Sequence, residues 1–239
     1  MRYIFSAPQV EWGILGDYLI RSETIGGKGY LIYCAIAFVI CAICAYLLGS
    51  INTAILVSKK CYGYDIRGYG SGNAGMTNMF RTFGKKAGFL TLGGDVLKAI
   101  ISIVIGFILM GGAGQYIAGF FCLLGHVFPV YFRFKGGKGV IVSAITILLI
   151  DPLVFLVLVV IFAMMFAATQ IISASSITAA FFYPMVVYAF NASHPGISYI
   201  LFSLFIAFFV IAMHKENIHR LLNKTEKKFT IKKDKKDKK

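Results

Sequence analysis

Charge is what this sequence is short of. Only 14% of its 239 residues are Asp, Glu, Lys or Arg, against 58% apolar, and the mean hydropathy is +0.78. A soluble domain carries about 25% charged residues, so a water-facing surface cannot be covered and a soluble globular protein is excluded. Acids are scarcest, ten in all, and the aspartates are dispersed. That argues against a phosphotransferase that holds metal on an aspartate cluster. The five cysteines, Cys34, Cys41, Cys44, Cys61 and Cys122, are odd in number and have no His or carboxylate companions. They read as small apolar fillers rather than a metal shell or a disulfide framework. The first 30 residues alternate charged and apolar positions and lack the sustained apolar core of a cleavable signal peptide. Trp12 and its aromatic neighbours suit the headgroup region as well as they suit a plain N-terminal extension.

What is abundant is the long apolar run. Residues 31–57 and 140–169 are almost free of charge, and each exceeds the ~20 residues that span a bilayer. Charges and helix breakers divide the chain into about seven helices: 33–57, 87–110, 115–132, 139–150, 153–168, 173–190 and 197–213. Gly111-Gly112 ends the second. Asp151-Pro152 separates the fourth from the fifth, because proline disfavours helix in the residue before it. The fourth piece, about 18 Å at 1.5 Å per residue, spans only with help from its neighbours. The expected fold is an all-α membrane protein with an N-terminal extension (1–30), a seven-helix domain (31–222) and a lysine-rich tail (223–239).

Charge then orients the helices. Loop 59–86 holds six Lys/Arg against one Asp, segment 133–138 three cations, and 214–239 eleven Lys/Arg against four acids. With seven spans these basic segments share one side, and the connections 111–114, 151–152 and 191–196 contain no Lys or Arg. The positive-inside rule puts the basic side in the cytoplasm and the N-terminus outside. The lysines from Lys224 onward read as a disordered tail, either solvated or drawn to anionic headgroups, without a catalytic role.

Each basic segment carries polar residues suited to anions. The first contains Gly70-Ser71-Gly72-Asn73-Ala74-Gly75-Met76-Thr77-Asn78-Met79-Phe80-Arg81. Closely spaced glycines let backbone N–H groups turn around an anion. Ser71, Asn73, Thr77 and Asn78 add neutral donors, and Arg81 a bidentate cation. A nucleotide P-loop's Gly-Lys-Ser/Thr is missing, and a flexible connector has a similar composition. The second is Lys135-Gly136-Gly137-Lys138 before a helix N-terminus, which suits phosphate or serves as a simple positive-inside stop. The third is His214-Lys215-Glu216-Asn217, in which His214 and Asn217 share a helix face and Glu216 lies off it, able to pair with a cation. Two charges one turn apart, Asp95 and Lys98, enter the membrane, where charge is costly; they are placed to neutralise each other, in a functional or a structural role. His126 is expected to hydrogen-bond a neighbouring helix.

These three motifs, in this order and spacing, resemble those of bacterial acyl-phosphate:glycerol-3-phosphate acyltransferases. Tyr46–Ser50, Gly94-Asp95 with Lys98, and Gly125-His126 with Pro129 are similar too, so the likeness covers roughly 33–222. Asn52, where a proline is common, is a departure. The resemblance implies seven helices in a bacterial inner membrane with the active site facing the cytoplasm. It implies transfer of an acyl group from acyl phosphate to the 1-hydroxyl of glycerol 3-phosphate, giving lysophosphatidic acid and inorganic phosphate, without metal or other cofactor. It carries essential roles to Ser71, Arg81, His214 and Asn217, substrate binding to Gly136, Gly137 and Lys138, and structural integrity to Glu216. Expected partners are the two substrates, membrane lipids and the soluble enzyme that makes acyl phosphate; nothing points to nucleic acid.

Acyl phosphate is a mixed anhydride with a good leaving group, so holding two mutually repelling phosphates matters more than a strong nucleophile. Arg81, Lys138 and the glycine loop are expected to hold phosphate. His214, with Asn217, helps deprotonate the hydroxyl, and the donor's own phosphate oxygen is a competing base. Ser71 is read as a hydrogen-bond donor ahead of an acyl-enzyme nucleophile. A transporter of organic phosphate or lipid also needs cationic sites, but internal repeats and midplane motifs are not found here.

Overall fold

The computed structural model describes residues 13–16, 27–190 and 197–231. Trp12, the loop 191–196 and the last eight residues lie outside them. Among the described residues every regular element is helical. Helix α1 (Gly27–Ser50) is followed by α2 (Thr53–Tyr62), α3 (Met76–Phe83) and α4 (Lys85–Val127). Then come α5 (Val140–Ile150), α6 (Pro152–Thr169), α7 (Ile172–Phe190), α8 (Ile197–Met213) and α9 (Lys215–Leu222).

Among the described residues four helical runs are long and apolar enough to cross a bilayer, and the bent pair α8–α9, with 61° between its axes, makes five. The run Lys85–Phe132, 48 residues, is over twice one span's length. It folds back at Met110 (φ −141°) and Gly111 (φ 58°, ψ −140°), the second a conformation open essentially to glycine. Helix α5, 11 residues, reaches only about 16 Å. Large apolar side chains such as Phe208 (73% exposed), Leu31 and Met164 (each 69%) face outward. In water such a surface would be a liability; in lipid it is the expected coat.

Asp151 explains the break between α5 and α6. Its Oδ1 accepts from the N–H groups of Leu153 and Val154, both at 3.1 Å, ahead of Pro152 at the first helical position. Two boundaries differ from the sequence expectation. The first helix, expected unbroken to residue 57, stops at Ser50. Asn52, fully buried, restarts it by accepting from the N–H of Ile55 (3.1 Å) and donates to the Ala74 carbonyl (3.3 Å). The third, expected to reach 132, ends at Val127, and residues 130–132 form a 3-10 turn after Pro129. Loop 59–86 also contains a helix, α3, which packs on α4.

The break in α1 is held by a buried charge. Lys98 Nζ donates to the carbonyls of Gly49 (3.1 Å) and Ile51 (2.8 Å), which the interrupted helix leaves unpaired. It also meets Asp95 Oδ1 at 2.9 Å and donates to His126 Nδ1 at 2.9 Å, while Thr53 Oγ1 donates to Asp95 at 3.4 Å. Asp95 and Lys98 do neutralise each other, and His126 does bond across the α4 fold-back. The cluster further joins α1 and α2 to both halves of α4.

Candidate active site

The three basic segments meet at one end of the helices, beside a cavity of about 1150 Å³. Its deeper wall is apolar, with Ile147, Leu158, Phe162 and Ile206 from α5, α6 and α8. Its mouth is polar and is built from the three motifs.

The first motif wraps around Asn78. This side chain is 1% exposed and donates to the carbonyls of Tyr69 (2.9 Å), Asn73 (3.0 Å) and Ile66 (3.4 Å), while its Oδ1 accepts from the Ser71 N–H (3.0 Å). The amide expected to bind phosphate is therefore spent on shaping the loop. Gly70 (φ 63°) has no room for a side chain, since a Cβ there would strike Asn78 Oδ1. Gly75 stands at the N-cap of α3 without a side-chain cap, so the first N–H groups of α3, which begin at Met76 on the cavity wall, have no capping side chain among the described residues. Ser71, Asn73 and Thr77 also line the cavity; Gly72 does not. Ser71 is exposed, and among the described residues its hydroxyl makes no hydrogen bond to a base.

Arg81 comes from the far end of α3. Burial lowers its pKa from the ordinary value, with Glu226 acting the other way. Its Nε is buried without an acceptor among the described residues, and its Nη2 donates to the carbonyls of Lys227 (2.9 Å) and Lys228 (3.2 Å). A half-buried guanidinium with a spare donor on the cavity wall is a strong anion ligand.

The second motif is clamped to the end of α4. The N–H groups of Gly136 and Gly137 donate to the carbonyls of Val127 (3.0 Å) and His126 (3.1 Å). A Cβ on Gly137 would collide with the His126 ring and crowd the Ala74 carbonyl. The glycine pair is thus spent on close packing and does not line the cavity. Lys135 is exposed and lies outside the cavity, its carbonyl accepting from Arg67 Nη1 (3.2 Å). That same Arg67 nitrogen donates to the Phe132 carbonyl (2.8 Å), joining the loop before the first motif to the one that carries the second, a link that the sequence reading missed. Of this motif Lys138 alone reaches the site, where it donates to Asn217 Oδ1. Burial first, then the Arg220 charge, pushes its pKa down to about 8.

The third motif sits at the α8–α9 bend. His214 is 3% exposed and its Nδ1 lies 2.7 Å from the Val210 carbonyl. A carbonyl only accepts, so Nδ1 carries the hydrogen and the neutral ring keeps its lone pair on Nε2. Burial lowers the His214 pKa to about 4, with Lys138 adding to the effect against the Val210 bond. Asn217 donates to Glu226 Oε1 at 2.6 Å. Glu216, to which the family likeness assigns structural integrity, has a 71% exposed side chain and only a 4.0 Å approach to Arg220.

The carboxylate packed into the site is instead Glu226, whose side chain is 6% exposed. It accepts from Ser173 Oγ (2.8 Å), Asn217 (2.6 Å) and Arg220 Nε (2.5 Å). Arg220 stands three residues beyond Asn217 on α9, a spacing that could have exposed it in the sequence. Of the residues expected to form a disordered tail, solvated or drawn to headgroups, Glu226, Lys227 and Phe229 to Ile231 instead pack onto the site. Among the described residues no three His, Cys, Asp or Glu side chains stand together as a metal would require.

Comparison with known proteins fits this arrangement. The sequence pattern of the family described as "Glycerol-3-phosphate acyltransferase" matches residues 39–224. The glycerol-3-phosphate acyltransferase of Bacillus subtilis (strain 168) is 41% identical over 186 residues, covering 78% of this chain and 94% of the relative. That of Thermoanaerobacter sp. (strain X514) is 40% identical over 191 residues, 80% of this chain and 94% of the relative. Crystal structures of PlsY (YgiH), an integral membrane glycerol 3-phosphate acyltransferase, superpose well. Its glycerol 3-phosphate form has a TM-score of 0.74 at 33% identity, covering 81% of this chain and 96% of that one. Its lysophosphatidic acid form has 0.72 at 33%, covering 81% and 95%. This chain belongs to the glycerol-3-phosphate acyltransferase family.

Proposed function

We propose that this protein transfers an acyl group from acyl phosphate to the 1-hydroxyl of sn-glycerol 3-phosphate, releasing inorganic phosphate and lysophosphatidic acid. The observation that carries this reading is the convergence of Arg81, Lys138, His214 and Asn217 at the polar mouth of a cavity whose depth is apolar. Polar mouth and apolar depth suit substrates with phosphate at one end and an acyl chain at the other. The solved relative with glycerol 3-phosphate, and the one with lysophosphatidic acid, support the same acceptor and product.

Arg81 and Lys138 draw two phosphates together against their repulsion, helped by the α3 N-terminus and by Ser71, Asn73 and Thr77. The 1-hydroxyl oxygen attacks the acyl carbonyl carbon while its proton passes to His214 Nε2, which is unprotonated at neutral pH. The C–O bond to phosphate then breaks and inorganic phosphate leaves with that electron pair. Asn217 orients Lys138 and the acceptor. Ser71 acts as a hydrogen-bond donor, since among the described residues no base is bonded to its hydroxyl. Indirect roles follow for Gly70 and Gly72, which set the turn, and for Asn78, Gly136 and Gly137, which hold the loops. Lys135 adds only to the field at the mouth.

In this reading the chain crosses a bacterial inner membrane seven times, through α1, the two halves of α4, and α5 to α8. The excess of Lys and Arg at the site end supports putting that end in the cytoplasm, where a soluble enzyme can deliver acyl phosphate, and the N-terminus outside. The test is phosphate release from palmitoyl phosphate by purified, lipid-reconstituted protein, with EDTA present. Release that requires glycerol 3-phosphate and vanishes in Arg81→Ala supports the reading; its absence in folded protein sinks it.

A further inference from the structure

The segment from Thr225 to Ile231 runs from the end of α9 across the cavity mouth to the end of α6. It is fastened at both ends. The Thr225 N–H donates to the Arg220 carbonyl (2.8 Å), and the Phe229 N–H donates to the Gln170 carbonyl (2.7 Å). Between these points it places acceptors on the site's donors. The Glu226 carboxylate takes hydrogen bonds from Ser173, Asn217 and Arg220, and the Lys227 and Lys228 carbonyls take two from Arg81. Three residues after Glu226, the Phe229 ring packs near Phe80 (centroids 6.0 Å apart) and Phe166 (6.2 Å), at the start of the apolar wall.

An anionic group held by cationic and amide donors is the outline of a bound phosphate, and the Phe229 ring beside it anchors the segment to the apolar wall. Burial pushes the Glu226 carboxyl up, but the hydrogen bonds from Arg220, Ser173 and Asn217 outweigh it and keep the group charged at neutral pH. The family pattern ends at residue 224, two residues before Glu226, so this carboxylate lies outside the matched segment. The donors it engages lie inside.

We propose that residues Thr225–Ile231 form a built-in competitor for the acceptor's phosphate: the Lys227 and Lys228 carbonyls occupy Arg81, the Glu226 carboxylate occupies Asn217 beside Lys138, and both leave when glycerol 3-phosphate binds. The inference rests on the acyltransferase reading and names a regulation of that site. When only a fraction of molecules is binding-competent, the apparent affinity falls by that fraction. A strap closed in about nine molecules of ten raises the apparent constant for the acceptor about tenfold. The strap also provides a reversible cover for cationic groups that otherwise face bulk phosphate.

The test compares the full chain, Glu226→Gln, and a chain ending at Lys224, all in the same lipid. With palmitoyl phosphate saturating, KM for glycerol 3-phosphate falls about tenfold in both variants, while kcat stays within about twofold. Thermal protection by glycerol 3-phosphate, which needs no turnover, reaches its midpoint at about tenfold lower concentration. A peptide spanning residues 223–231 inhibits the shortened chain in competition with glycerol 3-phosphate, and its Glu226→Gln version does so more weakly. An unchanged or raised KM, or a kcat lost in folded Glu226→Gln, overturns the proposal; the last would make Glu226 a positioning residue for Asn217. If the shortened chain does not fold, Glu226→Gln decides. Protection that sharpens in a protein without turnover would uphold the strap and sink the acyltransferase reading.

Discussion

Lys138 gives the clearest quantitative expectation. It is the cation whose charge is in play near neutral pH, because burial and the neighbouring Arg220 lower its pKa to about 8. A lysine whose pKa is lowered loses its proton as pH rises through that value. It is therefore about nine-tenths charged at pH 7 and about one-tenth at pH 9. If the charged form is what binds phosphate, kcat/KM for glycerol 3-phosphate is flat below pH 7 as far as Lys138 is concerned. Above pH 8 it falls toward a tenfold loss per unit, because kcat/KM reports the free enzyme. Bound phosphate favours the ammonium, so the alkaline fall in kcat lies higher than that in kcat/KM. His214, lowered to about 4, adds no limb between pH 5 and 9; an acid limb near pH 6 belongs to the substrate phosphate's own second ionisation. The assay is initial phosphate release between pH 5.5 and 9.5 in the wild type and Lys138→Arg. An arginine stays charged throughout, so the variant loses the alkaline limb even where its larger head lowers the overall rate. A wild-type kcat/KM that is flat to pH 9.5, or a limb that survives in Lys138→Arg, would falsify the assignment.

Two further predictions concern stability. Lys98→Met leaves Asp95 and the Gly49 and Ile51 carbonyls without their cation in a site where both charged side chains are 3–4% exposed. Breaking a buried pair costs about 3–5 kcal/mol; thermal unfolding in a fixed lipid mixture should show it, with partial recovery in the Asp95→Asn, Lys98→Met double variant. A loss below about 1 kcal/mol would mean that water reaches the cluster. Glu216→Gln removes one exposed contact at 4.0 Å, worth about 0–1 kcal/mol, so unfolding and phosphate release should both stay near wild type. A large loss of folded protein would restore the structural role suggested by resemblance.

Much of this molecule was legible from one dimension, and the residues show why. Asp151-Pro152 and Gly111-Gly112 are local signals, a cap with a helix breaker and a glycine turn, so the ends of those helices could be read directly. The long charge-poor runs and the three basic motifs follow from solvation: lipid excludes charge, and phosphate attracts cations and open backbone. Those arguments need no coordinates. They brought Arg81, Lys138, His214 and Asn217 forward as candidates before any distance was known.

Tertiary structure decided what each polar group spends its hydrogen bonds on. Asn78 looked like a phosphate donor because its amide has two hydrogens; the fold consumes both on carbonyls of its own loop. Gly136 and Gly137 looked like open backbone, yet the His126 ring and the end of α4 fill that space. Asn52 looked like an unexplained departure inside an apolar run, and it caps α2 where Lys98 closes the end of α1. Glu226 sat in a lysine-rich stretch whose composition suggests solvation or attraction to headgroups, and its burial depends on Ser173, Asn217 and Arg220 arriving from two other helices. Composition and local pattern settle where a segment resides and which chemistry it can offer. Which donors remain free for a substrate is settled only when distant segments compete for them in three dimensions.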